Sequence, residues 1–399
     1  ISLFIMFNFN IDEILAPQDW GFPVPISYGP GRLTEISEFC KNKNILNPLI
    51  VTDSGSIDLT FIHKLKEILS DSNIKYQIYS QISPNPKDTE IDGGCQMYKN
   101  GEHDSIIAIG CGSAMDGGKA ICLTVNNDYD LWDFEWEKTP PTINNDNQFP
   151  ILVTIPTTAG TGAETESTAM VTDTKEGVKW CICHPGLKPS IAILDPELTL
   201  GLPSNLTAWT GIDAMVHSVE GYCVPGSHPL CDGAALESLN LMSKSLMTAV
   251  EDPSNLAARG AMLVASCLGG IAFIKGLGLV HAISHMVGAE FNTQHGLTNA
   301  IVLPAVLRYN LPGMDEKVIR MSQALQYQNN STDNFINEME KLLDRCKIPK
   351  GLSEIDVPTD CIDRISKKTM IDTAFGTNPR KAELEDVKKL VTISINGAR

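Results

Sequence analysis

Five residues in two short segments of the chain have the types and spacing of a metal site. Asp213 and His217 lie four residues apart, and His281, His285 and His295 fall within one later stretch of fifteen residues. Because residues four apart on a helix lie one turn apart on the same face, Asp213 and His217 can direct an oxygen and a nitrogen to one point. His281 can reach that point from a second helix.

The donor types also bear on what such a site would do. A single histidine on an apolar helix is usually a core residue with a hydrogen-bond partner, but several imidazoles buried without partners are costly. Neutral imidazoles with one carboxylate suit a divalent transition metal, iron or zinc, with a position left open for substrate. A closed structural zinc site more often uses cysteine, so the pattern favours catalysis.

Two loops have the composition of a phosphate-binding cleft. Residues 110–119, GCGSAMDGGK, follow an apolar run and open a helix, where glycines and free backbone amides can accept a pyrophosphate. Residues 156–162, PTTAGTG, add hydroxyl groups after another such run. Asp53 ends the first clear strand, where a carboxylate can bind ribose hydroxyls and repel a 2′-phosphate. A plain glycine turn, threonine caps and an N-cap role for Asp53 are the structural alternatives.

The surrounding periodicity predicts the elements that hold these groups. Apolar runs predict strands at 47–53, 76–80, 105–110, 149–155 and 190–194, and helical windows fall at 61–69, 89–99 and from about 115. This alternation predicts a mostly parallel sheet with helices on both faces. Helical windows at 206–224, 230–250, 255–273 and 278–289 dominate the remainder. We therefore expect an α/β domain at residues 1–203 and an all-helical domain at 204–399.

Composition excludes several classes of partner. A net charge of −17 argues against binding to nucleic acid and to anionic membranes.

The apolar start, residues 1–9, is too short to span a bilayer, and no membrane segment is expected. Eleven scattered cysteines favour reduced thiols in the cytoplasm. Cys181, Cys183 and His184 have no second thiolate pair at zinc-site spacing, so alternation along a strand is the simpler interpretation.

Together, the metal-site and loop motifs resemble those of the iron-containing (group III) alcohol dehydrogenases, and the resemblance extends along nearly the whole chain. The matching segments are residues 28–31, the 112–119 loop, residues 156–161, residues 211–222, residues 276–296 and residues 378–380. The resemblance implies a Rossmann-like dinucleotide-binding α/β domain and an all-α domain, the dehydroquinate synthase-like fold, with the active site between them. One position departs from the family pattern, because Cys111 replaces a glycine in the first loop.

The resemblance also implies roles for individual residues. Asp213, His217, His281 and His295 would bind the metal, Fe²⁺ or another divalent ion such as Zn²⁺, whereas His285 would face nicotinamide and substrate. The residues that would contact the dinucleotide are Asp53, Asn85, Gly112, Ser113, Asp116, Thr157, Thr158, Thr161 and Lys179. With Asp53 at the ribose, NAD is expected in preference to NADP.

The expected activity is hydride transfer between a primary alcohol or diol and NAD, with the metal acting as a Lewis acid and His285 as the proton path. We expect a small-molecule alcohol or aldehyde substrate and a homodimer, to which residues 28–31 contribute an edge strand. The alternatives are a dehydroquinate synthase-like lyase, a glycerol dehydrogenase-like enzyme and a non-catalytic metal-binding structural protein. The lyase would need a cationic pocket for a phosphorylated acid, and residues 262–278 offer only Lys275.

Overall fold

The computed structural model describes residues 18–20, 24–143, 149–226 and 228–399. The apolar start of the chain, residues 1–9, lies outside this described part. The strands are β1 (Gln18–Trp20), β2 (Ile26–Tyr28), β3 (Pro48–Asp53), β4 (Gln77–Ile82), β5 (Ser105–Gly110), β6 (Ile151–Pro156), β7 (Thr168–Asp173), β8 (Val178–Cys183) and β9 (Ile191–Leu194). Each strand predicted from an apolar run is present, with bounds shifted by at most two residues.

A seven-stranded sheet forms the centre of the first half of the chain, in the order β1-β2-β9-β6-β5-β3-β4. The pairs from β2 to β4 are parallel, and β1 alone runs antiparallel to its neighbour. Every residue of β5 is buried, as expected for a central parallel strand covered on both faces. The predicted mostly parallel sheet is confirmed.

Two details of the strands differ from expectation. The segment at Tyr28 does not form a sheet edge, because β2 pairs with β1 on one side and with β9 on the other. Within the described residues β1 is the edge strand on this side of the sheet, and β4 is the edge strand on the other side. Cys181 and Cys183 do lie on a strand, but that strand, β8, pairs with β7 as a separate antiparallel ribbon.

The helices complete the two halves of the molecule. They are α1 (Ile36–Asn42), α2 (Thr60–Asp71), α3 (Asp88–Asn100), α4 (Gly112–Thr124), α5 (Ser204–Cys223), α6 (Pro229–Glu251), α7 (Leu256–Ala272), α8 (Leu279–Phe291), α9 (His295–Asn310), α10 (Asp315–Ala324), α11 (Thr332–Arg345), α12 (Ile362–Thr369) and α13 (Leu384–Asn396). Helix α4 begins three residues before the predicted start, because the glycine-rich turn is already its first turn.

The second half is built almost entirely from helices packed around one large apolar core. Helix α5 is buried on nearly all sides, which marks it as a central helix. The Rossmann-like α/β part and the helical part together confirm the predicted fold class. The last sheet strand ends at Leu194 and α5 begins at Ser204; the division into domains at residue 203 stays a prediction.

One helical stretch, Leu256–Lys275, is long and apolar enough to cross a membrane by length and composition. However, 72% of its most apolar window is buried inside the structure. It packs against both α5 and α6, so these residues serve as a core helix of the helical half.

Candidate metal centre and nucleotide cleft

The four predicted metal ligands converge from three helices. Asp213 and His217 lie one turn apart on α5, His281 lies on α8, and His295 is the first residue of α9. Their donor atoms all lie within 4.8 Å of one another. Oδ1 of Asp213 is 3.6 Å from Nε2 of His295 and 3.9 Å from Nε2 of His281. The structure therefore brings together all four residues that were expected to bind a metal.

A short reversal between α8 and α9 places His295 beside His281. Asn292 ends α8 in the left-handed conformation, with φ of 53°, which asparagine tolerates better than most residues. Two residues later, Gln294 caps α9 by accepting a hydrogen bond from the backbone N–H of Leu297. His295 is the first residue of the new helix, and its Nδ1 lies 3.1 Å from the hydroxyl of Ser284 on α8.

Each imidazole of the group is oriented through its Nδ1 atom. The partners are the Gly160 carbonyl at 3.3 Å for His217, the Glu220 carboxylate at 2.7 Å for His281 and the Ser284 hydroxyl at 3.1 Å for His295. A hydrogen bond at Nδ1 leaves Nε2 for a metal, and such outer partners fix the ring and its tautomer. Each of the three histidines is therefore held by a hydrogen bond at Nδ1 that leaves its Nε2 directed toward the other donor atoms.

The electrostatics of the cluster match this role. Burial lowers the pKa of His217 and of His295 well below the usual imidazole value, and the neighbouring His281 lowers both further. These rings are therefore neutral at neutral pH, which is the form that binds metal. Burial raises the pKa of Asp213 to about 6, although His281 opposes the shift. Buried lone pairs facing one another suit a divalent cation, so the donor set fits the expected metal.

His285 is set apart from the four ligands. It is buried on α8, and its Nδ1 lies 2.9 Å from a carboxylate oxygen of Asp372. Its ring stacks on that of His295, with centroids 5.5 Å apart. Burial lowers the pKa of His285, and Asp372 opposes this shift. The ring lines the same cavity as His217, His281 and His295.

One cavity joins the histidines to the nucleotide loops. Among the predicted site residues, its lining includes Gly112, Ser113, Asp116, Thr161, Lys179, His217, His281, His285 and His295. The loops themselves meet closely: a Cβ on Gly112 would come within 2.3 Å of Thr161 Cγ2. Only glycine leaves room for this approach, which explains its use in the first turn of α4.

The remaining predicted cofactor residues do not line this cavity. Asp53 lies at the carboxyl end of β3, where its Oδ1 accepts the Gly55 N–H at 3.0 Å and its Oδ2 accepts the Ser56 hydroxyl at 2.7 Å. Thr157 is buried, and its backbone N–H donates to the Gly110 carbonyl, while Thr158 is half-buried on the same loop. These positions follow the carboxyl edge of the sheet, where nucleotides bind in open α/β folds.

Asn85 connects the two halves of the molecule at the cleft. Its Oδ1 accepts a hydrogen bond from Lys179 Nζ at 3.2 Å, and its Nδ2 donates to Oδ1 of Asn292 at 3.1 Å. Burial lowers the pKa of Lys179. Asp116, whose pKa burial raises to about 6, is the largest opposing influence on that lysine. Each group thus opposes the shift that burial causes in the other.

Cys111, which departs from the family pattern, points toward two of the residues predicted to bind the nucleotide. Its Sγ lies 2.8 Å from the Ser113 hydroxyl and 3.7 Å from Oδ2 of Asp53. Burial raises the pKa of this thiol, with the Asp53 carboxylate adding to the effect. A protonated thiol in this position is a weak donor to the carboxylate and a poor nucleophile.

Three residues of the site were not predicted from the sequence. Glu220 was part of a matching segment but had no assigned role, and it now holds His281. Asp372 holds His285 from 87 residues away, a separation that no local pattern can indicate. Asn299 lies one turn after His295 and bonds to Asp213. Its i, i+4 spacing from His295 was the one signal available.

Comparison with known proteins adds independent information. Residues 23–196 match the family described as iron-containing alcohol dehydrogenase, and residues 207–395 match the C-terminal part of the Fe-containing alcohol dehydrogenase family. The chain is 31% identical over 372 residues to the NAD-dependent methanol dehydrogenase of Bacillus methanolicus, covering 91% of this chain and 96% of that protein.

Two further relatives agree with this assignment. The 1,3-propanediol dehydrogenase of Citrobacter freundii is 32% identical over 380 residues, covering 91% of this chain and 95% of that protein. The crystal structure of a 1,3-propanediol oxidoreductase superposes with a TM-score of 0.87 at 31% identity, covering 93% and 97% of the two chains. The predicted alcohol dehydrogenase activity, with NAD and a divalent metal, is confirmed. The chain belongs to the iron-containing alcohol dehydrogenase family.

Proposed function

We propose that this enzyme interconverts a small primary alcohol or diol and its aldehyde at the metal centre described above. Asp213, His217, His281 and His295 hold the metal, Fe²⁺ or another divalent ion. The observation that carries the proposal is the convergence of these four donor groups within 4.8 Å, with the three histidines in the wall of the cavity that contains the glycine-rich loop. When bound, the metal supplies Lewis-acid activation of an alcohol oxygen, and NAD supplies the hydride acceptor.

The protein's contribution begins with orientation of the two reactants. The Nδ1 contacts of the ligand histidines keep Nε2 unprotonated and aimed at one point. The first turn of α4 lines the cleft at Gly112 and Ser113, where the free backbone amides of a helix N-terminus favour a pyrophosphate. Asp116, Thr161 and Lys179 line the cavity between this turn and the histidines. These residues would thereby hold the nicotinamide and the alcohol next to each other before the reaction.

The remaining dinucleotide contacts follow from position. Asp53 binds the adenosine ribose, Thr157 and Thr158 border the phosphates, and Asn85 holds Lys179 at the nicotinamide end. The Asp53 carboxylate disfavours a 2′-phosphate, which supports NAD over NADP.

His285 carries the proton that leaves the alcohol. Its Nδ1 is bonded to Asp372, which leaves Nε2 for the cavity, and burial keeps the ring neutral at neutral pH. A neutral imidazole with a free lone pair can accept a proton from substrate and pass it toward solvent.

The cavity wall supports a small neutral substrate. Trp136, Ala163, Phe273 and Leu277 give it an apolar side. Among its described lining residues Lys179 is the one lysine or arginine, and that amine is bonded to Asn85. Lys275, the cation that the lyase alternative had available, instead pairs with Asp232. The described lining thus offers a phosphorylated acid one lysine and no cluster of cations, which favours a neutral substrate.

Cytoplasmic location and assembly are further parts of the proposal. The eleven cysteines are all free, as expected for a protein kept in a reducing compartment. We propose a homodimer formed through the β1 edge of the sheet, since in the described part of the chain β1 pairs on one side only and its other side offers backbone groups for pairing. Light scattering coupled to size exclusion measures this directly, and a monomeric mass would refute the dimer.

The activity is tested on protein reconstituted anaerobically with Fe²⁺ or Zn²⁺ and supplied with NAD and a panel of alcohols and diols, or with NADH and the matching aldehydes. We expect alcohol-dependent NADH formation that is lost in metal-free protein. Absence of turnover with every alcohol, in protein shown to contain metal, would reject the proposed function.

A further inference from the structure

Asn299 lies against the proposed metal ligands without being one of them. Its side chain is fully buried on α9, one turn from His295. Its Nδ2 is 2.7 Å from Oδ1 of Asp213, 3.1 Å from Nε2 of His281 and 3.2 Å from Nε2 of His295. One amide nitrogen thus touches three of the four donor atoms.

The orientation of this amide is determined by its neighbours. A carboxylate can only accept hydrogen bonds, and Nε2 of an imidazole whose Nδ1 carries the proton can only accept as well. The NH₂ group must therefore face Asp213, with Oδ1 turned away. That oxygen is buried and has no hydrogen-bond partner among the described residues. Burying a carbonyl oxygen without a hydrogen-bond partner is unfavourable. The orientation of the amide is therefore set by the acceptors around Nδ2 and not by a partner for Oδ1.

The contacts also place Asn299 on one particular side of the cluster. The three donors it touches belong to Asp213, His281 and His295, and the fourth, from His217, is the one it does not touch. The cavity wall includes all three histidine ligands but neither Asp213 nor Asn299. The cluster therefore has an open side, lined by histidines, and a closed side, covered by Asn299.

We propose that Asn299 is a positioning residue of the metal centre, which holds the Asp213 carboxylate and closes the protein side of the site. This inference rests on the proposed function, because it assumes that the four donors bind a metal. With the imidazole lone pairs committed to a cation, the amide keeps its bond to Asp213. Its bulk would also keep water from the closed side, so that substrate would reach the metal from the cavity.

The test compares metal binding by wild type, Asn299→Ala, Asn299→Leu and a matched control, Asn310→Ala. Asn310 is also buried on α9, but its amide bonds to Asn378, at the other end of the helix. Metal-free proteins are titrated with Zn²⁺ against a chelator, and the visible spectrum of the Co²⁺ form reports the coordination number. Thermal unfolding of each metal-free protein verifies the fold.

We expect Asn299→Ala and Asn299→Leu to bind Zn²⁺ about 10- to 100-fold more weakly, as for other outer partners of metal ligands. The Co²⁺ bands of Asn299→Ala should weaken as water enters and raises the coordination number. Asn310→Ala should bind both metals like wild type. Leucine has similar bulk but no hydrogen bond, so the loss in Asn299→Leu isolates the bond to Asp213.

Two results would overturn the inference. One is Zn²⁺ affinity of both Asn299 variants within about threefold of wild type, a difference below 1 kcal/mol, with unchanged Co²⁺ spectra. The other is an equal loss in Asn310→Ala, which would point to a general effect on α9. Failure of the wild type to bind either metal would instead reject the proposed function.

Discussion

Nδ1 of His281 lies 2.7 Å from a carboxylate oxygen of Glu220, and both side chains are buried. The other carboxylate oxygen accepts the backbone N–H of Val280 at 2.8 Å. A carboxylate at the first turn of α8 also interacts favourably with the positive end of the helix dipole. One side chain of α5 thus fixes both the start of α8 and the ring orientation of a metal ligand on it.

Replacing Glu220 by alanine is expected to weaken metal binding by about 10- to 100-fold, because His281 loses the partner that sets its tautomer. Glu220→Gln should lose less, since its amide oxygen can still accept from Nδ1. Chelator competition with Zn²⁺ measures both, and Glu237→Gln, an exposed change on α6, is the control. Equal affinity in Glu220→Ala and wild type would contradict this role.

Asp372→Asn is expected to lower kcat by roughly 10²-fold while metal content stays unchanged. Asparagine can present an N–H to Nδ1 of His285 and favour the wrong tautomer. His285→Ala should show a similar loss, and the double variant should be no worse than either one, because the two residues act as a unit. Steady-state kinetics on metal-loaded protein test this. A wild-type pH–rate profile in His285→Ala would refute the proton role.

Asp53→Ser is expected to shift the ratio of kcat/KM for NAD over NADP by about tenfold or more toward NADP, which corresponds to ~1.4 kcal/mol. The reason is loss of the charge that repels a 2′-phosphate. Asp58→Ser, an exposed change in the same loop region, should leave the ratio unchanged. A clear NADP preference in the wild type would show that the assignment of Asp53 is wrong.

Glu164 predicts a specific dependence of stability on pH. Burial raises its pKa to about 7, against the opposition of a backbone hydrogen bond and of Lys119. An unfolded glutamate titrates near 4.3, so between about pH 4.3 and 7 the folded chain holds a proton that the unfolded chain has released. The free energy of unfolding must therefore fall as pH rises through this window.

Glu164→Gln removes this titration, so it should gain stability relative to wild type as pH rises. Urea unfolding at about pH 5 and about pH 8 measures the change, on the order of 1 kcal/mol or more. Glu176→Gln, an exposed change, is the control. A stability difference between Glu164→Gln and wild type that is the same at both pH values would exclude the raised pKa.

Local sequence patterns predicted the parts of the site that depend on spacing. Asp213 and His217 share a helix face, and the loop at Gly112 follows a buried strand, so both could be inferred from periodicity. Contacts over long separations could not: Asp372 reaches His285 and Asn85 reaches Asn292 only after the chain has folded.

Burial of charge was also invisible in the sequence. Lys119 and Glu164 are almost fully buried, although such side chains are usually solvated. The β7–β8 ribbon was missed as a pair because β7, with its mixed polar and apolar residues, has no apolar run comparable to that of β5. Tertiary packing decides these features, and a single sequence carries little trace of it.

The central claim is that His281 binds the metal whereas His285 does not. Metal stoichiometry tests this claim most directly. Wild type, His281→Ala and His285→Ala are purified metal-free, reconstituted with Fe²⁺ or Zn²⁺, dialysed and assayed for bound metal. We predict that wild type and His285→Ala retain a single equivalent of metal per chain, whereas His281→Ala retains little. Loss of metal in His285→Ala, or full retention in His281→Ala, would contradict the account.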